Sequence, residues 1–362
     1  MSRDQEILDL YSDYLLSSFG QVTATGLSAL LEGAVSHDQI QRWLASAKKG
    51  SQQLWKWAKP LVRQTQSDEG VLIVDDSIEE KPYTDENDII CWHYDHSKER
   101  MVKGINFVSP LYGTSVIAIP VDVSLVAKTA KTRDEKTGKE KRQSPVSKNE
   151  MYQQMLRGAQ AKQLRYRYVL NDSWDSSAEN MMFVKRTLKR EFVMPLKTNR
   201  KVAVYTGQDK GRCRYQRVDA LKLEPDTVCD VWLEGVTFPV RLTKVVFENK
   251  DGSTGILFLA TSDRDLDAER MQRIYQTRWK IEVYHKSLKQ NAALARSPTQ
   301  TVTTQTNHFF AALYAYLKLE KLKLGTQLNH FALKGKLYLR AVHTAFEELR
   351  RLQAKVIPQI TA

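Results

Sequence analysis

The 362-residue chain lacks the patterns that mark several large classes of protein. It has no run of eighteen apolar residues, which argues against a membrane-spanning helix. Its first thirty residues lack the basic start, apolar block and cleavage site of a secretory signal. The three cysteines, Cys91, Cys213 and Cys229, are far apart and show neither CxxC nor Cys/His metal spacing. We therefore expect a cytoplasmic protein with free thiols, and neither a disulfide scaffold nor a zinc site.

The composition instead shows an excess of positive charge. The chain has 55 Lys+Arg against 42 Asp+Glu, a formal net charge of +13. Such a charge favours binding to polyanions, although charge alone does not say which polyanion. The 42% hydrophobic content is enough to bury a real core, and the length allows more than one domain.

The first 66 residues read as helices, because their apolar positions recur at spacings of three and four. Ser36 and Asp38 provide N-cap chemistry ahead of Ile40. The stretch TATGLSALLEGAVSHDQIQRWLA has the proportions of a helix-turn-helix, whose second helix could enter a major groove. Ordinary packing of two helices explains the same pattern equally well. We predict a helical DNA-binding domain over residues 1–66.

A change of pattern at Gly70 marks the start of a sheet. VLIVDD predicts a buried strand that ends on two acids, and MVKGINFVSPLY and TSVIAIPVDVSLVA predict two antiparallel strands after it. The polar stretch Lys128–Lys148 predicts either a solvated surface loop or an arm that follows phosphates. Next come a helix, the strand RYVLNDSW, a second helix and the strand EFVMPLKT. The predicted order is β, β, β, α, β, α, β.

The second half of the chain divides into three further segments. Residues 200–262 alternate in short runs separated by turn residues, which predicts a β-rich insertion between a first part of the core at 67–199 and a second part. Helical periodicity returns over residues 263–325 and continues in a basic helical region at 326–362.

Acidic residues follow two of the predicted strands and lie on one helix. Asp75 and Asp76 follow VLIV, Asp172 follows YVLN, and Glu282 lies in a helical segment. Carboxylates that converge repel one another unless a cation lies between them, and Mg²⁺ or Mn²⁺ prefers such oxygen ligands. A pair of these ions would suit phosphodiester chemistry. An Asp at the end of a strand is also an ordinary turn residue, so position alone leaves both interpretations open.

The segment Tyr275–Gln290 predicts a helix that places several functional side chains on one side. Tyr275, Arg278, Glu282 and Lys289 lie within about 60° of arc on a helical wheel. Such a face could hold an ion and the DNA strand beside it. It could equally be a solvated helix face with an i,i+4 pair between Arg278 and Glu282.

The spacing Tyr275-x2-Arg278-x3-Glu282-x6-Lys289 resembles the Y-R-E-K signature of bacterial insertion-sequence transposases, members of the DDE superfamily built on the ribonuclease H fold. VLIVDDS resembles the first-acid motif of that family, and VLNDSWDSS resembles the second. The resemblance covers Gly70 to about Leu324. It implies an α/β fold with a ribonuclease H-like mixed five-stranded sheet flanked by helices, a β-rich insertion and an N-terminal helical domain.

The resemblance also implies the chemistry. Asp75, Asp172 and Glu282 would be catalytic and would bind two Mg²⁺ or Mn²⁺ ions per active site, and Tyr275, Arg278 and Lys289 would bind DNA. Asp75 is chosen over Asp76 because it forms the Asp-x-Ser spacing with Ser77. Trp232 would either hold a flipped base, as in some relatives, or pack in the core.

The implied partners are double-stranded DNA, as the terminal inverted repeats of an element and as target DNA, and a second copy of the chain in a homodimer on DNA. The implied location is the bacterial cytoplasm, associated with the nucleoid. Two other functions remain open at this point. One is a ribonuclease H-like nuclease without strand transfer, and the other is a domesticated DNA-binding protein without catalysis.

Overall fold

A computed structural model describes residues 2–96, 98–133, 138, 140–207, 214–249 and 251–360. Cys91 and Cys229 are free thiols, as predicted, and Cys213 lies outside the described residues. The chain forms two compact units. The first combines Met1–Gly50 with His285–Ala362, and the second is Ser51–Tyr284.

The described residues form α-helices at both ends of the chain and between the strands. These helices are α1 Arg3–Ser17, α2 Ala24–Leu30, α3 His37–Leu44, α4 Ser51–Thr65, α5 Lys148–Ala161, α6 Ala178–Met182, α7 Ala268–Gln276, α8 Trp279–Gln290, α9 Val302–Thr326 and α10 His330–Ile360. Across these ranges, none of the helices is long and apolar enough to cross a membrane.

All the strands of the described residues lie in the second unit. They are β1 Val71–Glu80, β2 Ile90–Asp95, β3 Arg100–Gly113, β4 Ala118–Pro120, β5 Ser124–Leu125, β6 Ala130–Arg133, β7 Glu140–Gln143, β8 Tyr168–Leu170, β9 Glu191–Leu196, β10 Lys201–Val204, β11 Gln216–Arg217, β12 Val228–Leu233, β13 Val240–Glu248 and β14 Thr254–Thr261.

The helices predicted over the first 66 residues are present as α1–α4, although α4 belongs to the second unit. The first unit is helical. The start of α3 is a capping box, in which the Ser36 side chain accepts from the Gln39 backbone and the Gln39 side chain accepts from the Ser36 backbone. Helix α9 is the centre of this unit, and its buried Asn307 joins it to the end of α3. The Asn307 amide donates to the carbonyls of Leu44 and Ser46 at 2.9 and 3.2 Å, and its oxygen accepts from Lys49 N at 2.8 Å.

The second unit is built on one large mixed sheet. Its strand order is β11-β10-β12-β13-β14-β9-β8-β1-β3-β2, with β4 and β5 also paired to β3. Strand β1 is parallel to β8, and β8 is parallel to β9. The remaining described pairs of this sheet are antiparallel. A mixed α/β fold is thus confirmed, in a wider sheet than the predicted five strands.

Strand β3 is long enough to take three partners in series along one side. It pairs with β2 near its start, with β5 in the middle and with β4 at its end, while β1 occupies its other side. The two antiparallel strands predicted after VLIVDD are therefore present as β3 and the broken strand β4–β5. Strand β2, which lies between β1 and β3 in the sequence, is additional to the predicted order of elements. Strands β10–β14 form the predicted β-rich segment, and β14 joins them to β9 in the same sheet.

Two local predictions need correction. The stretch Lys128–Lys148 contains the hairpin β6–β7 where a loop was predicted, because backbone pairing of Ala130–Arg133 with Glu140–Gln143 satisfies this polar chain without a core. Residues 134–137 and 139 lie outside the described residues.

The predicted single helix over Tyr275–Gln290 is two helices, since α7 ends at Gln276 and α8 begins at Trp279.

Asn307 should account for a measurable part of the first unit's stability. Replacement by Ala leaves the carbonyls at the end of α3 without their buried donor, so the free energy of unfolding should fall by about 2–3 kcal/mol. Chemical denaturation followed by circular dichroism measures this change. Lys321→Ala, on an exposed position of the same helix, is the matched control and should change stability by less than about 0.5 kcal/mol. Equal effects of the two changes would contradict the role given to Asn307.

Candidate metal-dependent active site

The register between two parallel strands brings the first two predicted acids together. Strand β1 pairs with β8 through Val71↔Tyr168 and Ile73↔Leu170. Continuing that register places Asp75 opposite Asp172, which follows the end of β8. Strand β1 itself continues to Glu80 along β3, so the prediction that β1 ends on the acids is wrong. The pairing of β1 with β8 ends at Ile73, two residues before Asp75.

Asp75 and Asp76 are adjacent in β1 and face different surroundings, as alternation along a strand requires. An Asp75 carboxylate oxygen lies 3.5 Å from Arg278 Nη1. Asp76 instead accepts a hydrogen bond from Asn106 Nδ2 at 2.9 Å and pairs with Lys148 Nζ at 2.8 Å. Asp75 is therefore the one of the two that faces the helix carrying Glu282.

The turn between α7 and α8 arranges the side chains of the predicted helix face. Arg278 N donates to Tyr275 O at 2.9 Å, a tight i to i−3 turn. The Arg278 guanidinium carbon lies 5.9 Å from the centre of the Tyr275 ring. Nη1 of Arg278 lies 3.3 Å from Glu282 Oε1, in addition to its contact with Asp75. Arg278 thus bridges the two carboxylates.

Asp75 and Glu282 approach each other closely enough to share an ion. Each offers a carboxylate oxygen, and these oxygens lie within 4.8 Å of one another. His285 follows Glu282 by one turn of α8, and one of its ring nitrogens lies within the same distance of that Glu282 oxygen. The sequence interpretation did not include His285, although the spacing Glu282-x2-His285 places both on one face of a helix.

The electrostatics of Asp75 reflect this crowding. Burial raises its pKa well above the usual value of an aspartate, and the charges of Asp172, Asp76 and Glu282 raise it further. Arg278 acts in the opposite direction. Burial also works against the Arg278 charge, but Tyr275 and the surrounding carboxylates outweigh it and raise the pKa of Arg278.

Asp172 lies in a tight turn that contains a further acid. Its Oδ1 accepts from the backbone N of Trp174 at 2.8 Å and from that of Asp175 at 3.3 Å. Burial, with the charges of Asp172 and Asp76, raises the pKa of Asp175 to about 7. Asp175 was missed from the sequence, although the motif Asp172-x2-Asp175 was visible in VLNDSWDSS.

These residues fit a divalent cation. Carboxylate oxygens are the ligands that Mg²⁺ and Mn²⁺ prefer, and buried like charges held together by the sheet are stabilised by a cation between them. Arg278 supplies the compensating positive charge that the contacts show. Asp75 and Glu282 are the predicted carboxylates close enough to share such an ion. Among the described residues, Asp172 is not in the group of ligand atoms that lie within 4.8 Å of one another, although its charge acts on Asp75.

Two further residues singled out from the sequence lie on α8 and on β12. Lys289 lies two turns beyond Glu282 on the same face of α8. Trp232 lies on β12, half-buried, with its ring centre 5.3 Å from that of Tyr205 in an edge-on contact. The DNA-binding role of Lys289 stays a prediction, and the contact with Tyr205 favours packing for Trp232.

The electrostatic cost of Asp75 predicts a stabilising substitution. The pKa of Asp75 is higher in the folded state than in the unfolded state. Its contribution to the free energy of unfolding is therefore fully present below the unfolded pKa and is lost as the pH rises through the folded pKa. In excess chelator, Asp75→Asn should therefore melt higher than the wild type at pH 8 and about equally at pH 4. A pKa difference of one between the two states corresponds to about 1.4 kcal/mol in the free energy of unfolding. In a domain of this size that free energy changes the melting temperature by about 2–4 °C.

Asp76→Asn is the matched control for that experiment. This change removes a negative charge beside Asp75, but it also removes the ion pair between Asp76 and Lys148. Because the second effect opposes the first, no increase in melting temperature is expected at pH 8. Thermal melts of the three proteins across this pH range measure both effects. A lower melting temperature for Asp75→Asn at pH 8 would contradict the crowding of carboxylates at this position.

Comparison with known proteins agrees with this arrangement. A search of curated proteins gives no match. The family model described as DDE superfamily endonuclease matches residues 2–231. The match includes Asp75 and Asp172 and ends before Glu282, whose place beside Asp75 comes from the structure. Because the match covers well over half of the sequence, the chain belongs to the DDE superfamily endonucleases.

Proposed function

We propose that this protein is a DDE transposase that cuts the ends of an insertion sequence and joins them to target DNA. The observation that carries the proposal is the meeting of Asp75 and Glu282 within 4.8 Å, from a strand and a helix far apart in the chain. Membership of the DDE superfamily endonucleases supports the activity of a nuclease on DNA. Our proposal adds strand transfer to that activity.

The chemistry consists of two phosphodiester reactions. In cleavage, a water oxygen bonds to phosphorus as the P–O3′ bond breaks, which leaves a 3′ hydroxyl. In joining, that hydroxyl bonds to a phosphorus of target DNA as the target's own P–O3′ bond breaks. Asp75, Asp172 and Glu282 would hold two Mg²⁺ or Mn²⁺ ions per active site. Ions so held activate the attacking oxygen and stabilise the charge on the leaving oxygen.

Arg278 and Tyr275 would position the DNA strand. The Arg278 guanidinium has several donors, so it can keep one carboxylate contact and donate to a phosphate oxygen. Burial raises the pKa of Tyr275 to about 12. A tyrosine hydroxyl is protonated at neutral pH and can donate to a phosphate oxygen. Lys289 would add a phosphate contact two turns along α8.

The helices α2 and α3 would recognise the terminal repeats. The second of them exposes Asp38, Gln41 and Arg42, which are residue types that contact bases and phosphates. The net charge of +13 supports binding to DNA over a wide surface. We propose that a homodimer assembles on paired element ends, in a cytoplasm where the chain associates with the nucleoid.

Loss of one carboxylate should abolish both reactions. With a plasmid that carries the reading frame and its native flanking DNA, Glu282→Gln should reduce cleavage by at least about 100-fold, because a neutral amide holds a divalent cation poorly. Excess chelator should have the same effect on the wild type. Glu269→Gln, on an exposed part of α7, is the matched control and should cleave normally. Gel analysis of nicked and linear DNA measures these rates.

Strand transfer distinguishes a transposase from the two other functions. Precut element ends supplied with a supercoiled target should become covalently joined to it in Mg²⁺. A nuclease without strand transfer would cleave but give no joined product, and a non-catalytic DNA-binding protein would do neither. Cleavage that continued in excess chelator would end the metal-dependent proposal altogether.

A further inference from the structure

An exposed tryptophan lies directly beside the second acid. Trp174 is the second residue after Asp172, and its backbone N donates to the Asp172 carboxylate at 2.8 Å. Its surface is 60% exposed, although tryptophan usually buries most of its area. Neither core packing nor the acidic cluster accounts for an indole that projects into solvent at this place.

The turn that carries Trp174 is held by buried hydrogen bonds. Asn171 is fully buried, and its Nδ2 donates to Asp172 O at 2.8 Å and to Ser176 Oγ at 3.0 Å. Ser176 Oγ donates to Asp172 O at 2.7 Å, and Tyr152 OH donates to Asn171 Oδ1 at 3.2 Å. The indole is therefore positioned by a rigid turn, in a fixed relation to the Asp172 carboxylate.

Two other segments of the second unit bring aromatic and cationic groups to this indole. The His96 ring, in the turn between β2 and β3, is stacked on it with centroids 4.2 Å apart and planes at 30°. Tyr94, which is 49% exposed, meets His96 edge-on at 4.9 Å. Lys197, just after β9, places Nζ 3.5 Å from the centre of the indole. We call Tyr94, His96, Trp174 and Lys197 the aromatic platform.

The composition of the platform indicates its ligand. Aromatic faces stack on nucleic-acid bases irrespective of sequence, and cations at the same place attract the phosphates. A single-stranded base suits the platform better than a base pair, because only an unpaired base exposes its face to a side chain. The ammonium of Lys197 sits on a flexible stem and can move from the indole to a phosphate.

We propose that the aromatic platform stacks on an unpaired base of the DNA strand whose phosphodiester lies at Asp75, Asp172 and Glu282. Trp174 and His96 provide the stacking faces, and Lys197 contacts a phosphate of the same strand. The inference rests on the proposed function and adds to it a means of holding a strand end between cleavage and joining.

Fluorescence of 2-aminopurine tests the platform without requiring catalysis. The 362-residue chain is titrated in Ca²⁺ with a blunt duplex and with a forked duplex of the same sequence. The unpaired tail of the fork contains 2-aminopurine. Wild-type protein should bind the fork more tightly and quench the fluorescence by stacking. Trp174→Ala should lose the quenching and bind the fork about 5- to 100-fold more weakly, with less than about a 2-fold change for the blunt duplex.

Two further variants separate stacking from folding. Trp174→Phe keeps an aromatic face and should retain the quenching, whereas His96→Ala should reduce it. Tyr83→Ala removes a fully exposed aromatic outside the platform and is the matched control, with no expected change. If Trp174→Ala bound and quenched the fork like the wild type, or if His96→Ala and Trp174→Ala both left the fork preference intact, the platform would be refuted.

The platform and the proposed function fail in different ways. Preference for the fork and quenching by the wild type, without cleavage or joining in Mg²⁺, would refute the transposase while supporting the platform. Normal cleavage and joining by a protein that shows no quenching would refute the platform while supporting the transposase.

Discussion

Asp75 on β1 and Asp172 in the turn directly after β8 lie near enough for the charge of Asp172 to act on Asp75. The parallel pairing of β1 with β8 fixes the backbone up to Ile73 and Leu170, two residues before each acid. The charge must therefore be compensated locally, and in the described contacts the Arg278 guanidinium does so by bridging Asp75 and Glu282. A chain that keeps such an arrangement gives up stability at the place where a divalent cation and a phosphate would bind, which is characteristic of functional sites.

The unequal pairing of β1 explains why Asp75 faces α8 and not a neighbouring strand. Strand β1 stays hydrogen-bonded to β3 as far as Glu80, while its pairing with β8 ends at Ile73. Beyond that point one edge of β1 faces the turn after β8 and the helix α8 instead of another strand. Alternation then sends Asp75 towards Arg278 and Asp76 towards Lys148. The same break in pairing leaves room for the turn that carries Trp174.

Features set by local chemistry were predictable from the sequence. The capping box at Ser36 and the apolar run Val71–Val74 are each determined by a few adjacent residues, and the helix and strand there were predicted correctly. The β6–β7 hairpin was not, because its polar strands carry no apolar periodicity and gain their order from backbone pairing. The contact of His96 with Trp174 was beyond prediction, since it joins two turns that only the folded sheet brings together.

The prediction of one continuous helix was wrong, because α7 and α8 are separate helices. The prediction that Tyr275 and Arg278 lie on the same side nevertheless agrees with their contact. Tyr275 and Arg278 are three residues apart, and a tight i to i−3 turn keeps them on one side just as a continuous helix would. The break has a consequence that a continuous helix would lack, because Glu282 falls in the first turn of α8 instead of mid-helix. Backbone N–H groups at a helix start favour a negative charge there. Glu282 thus lies where the helix start and the Arg278 guanidinium both favour a negative charge. Asp75 has the same Arg278 contact, but burial and the neighbouring carboxylates outweigh it and raise the pKa of Asp75.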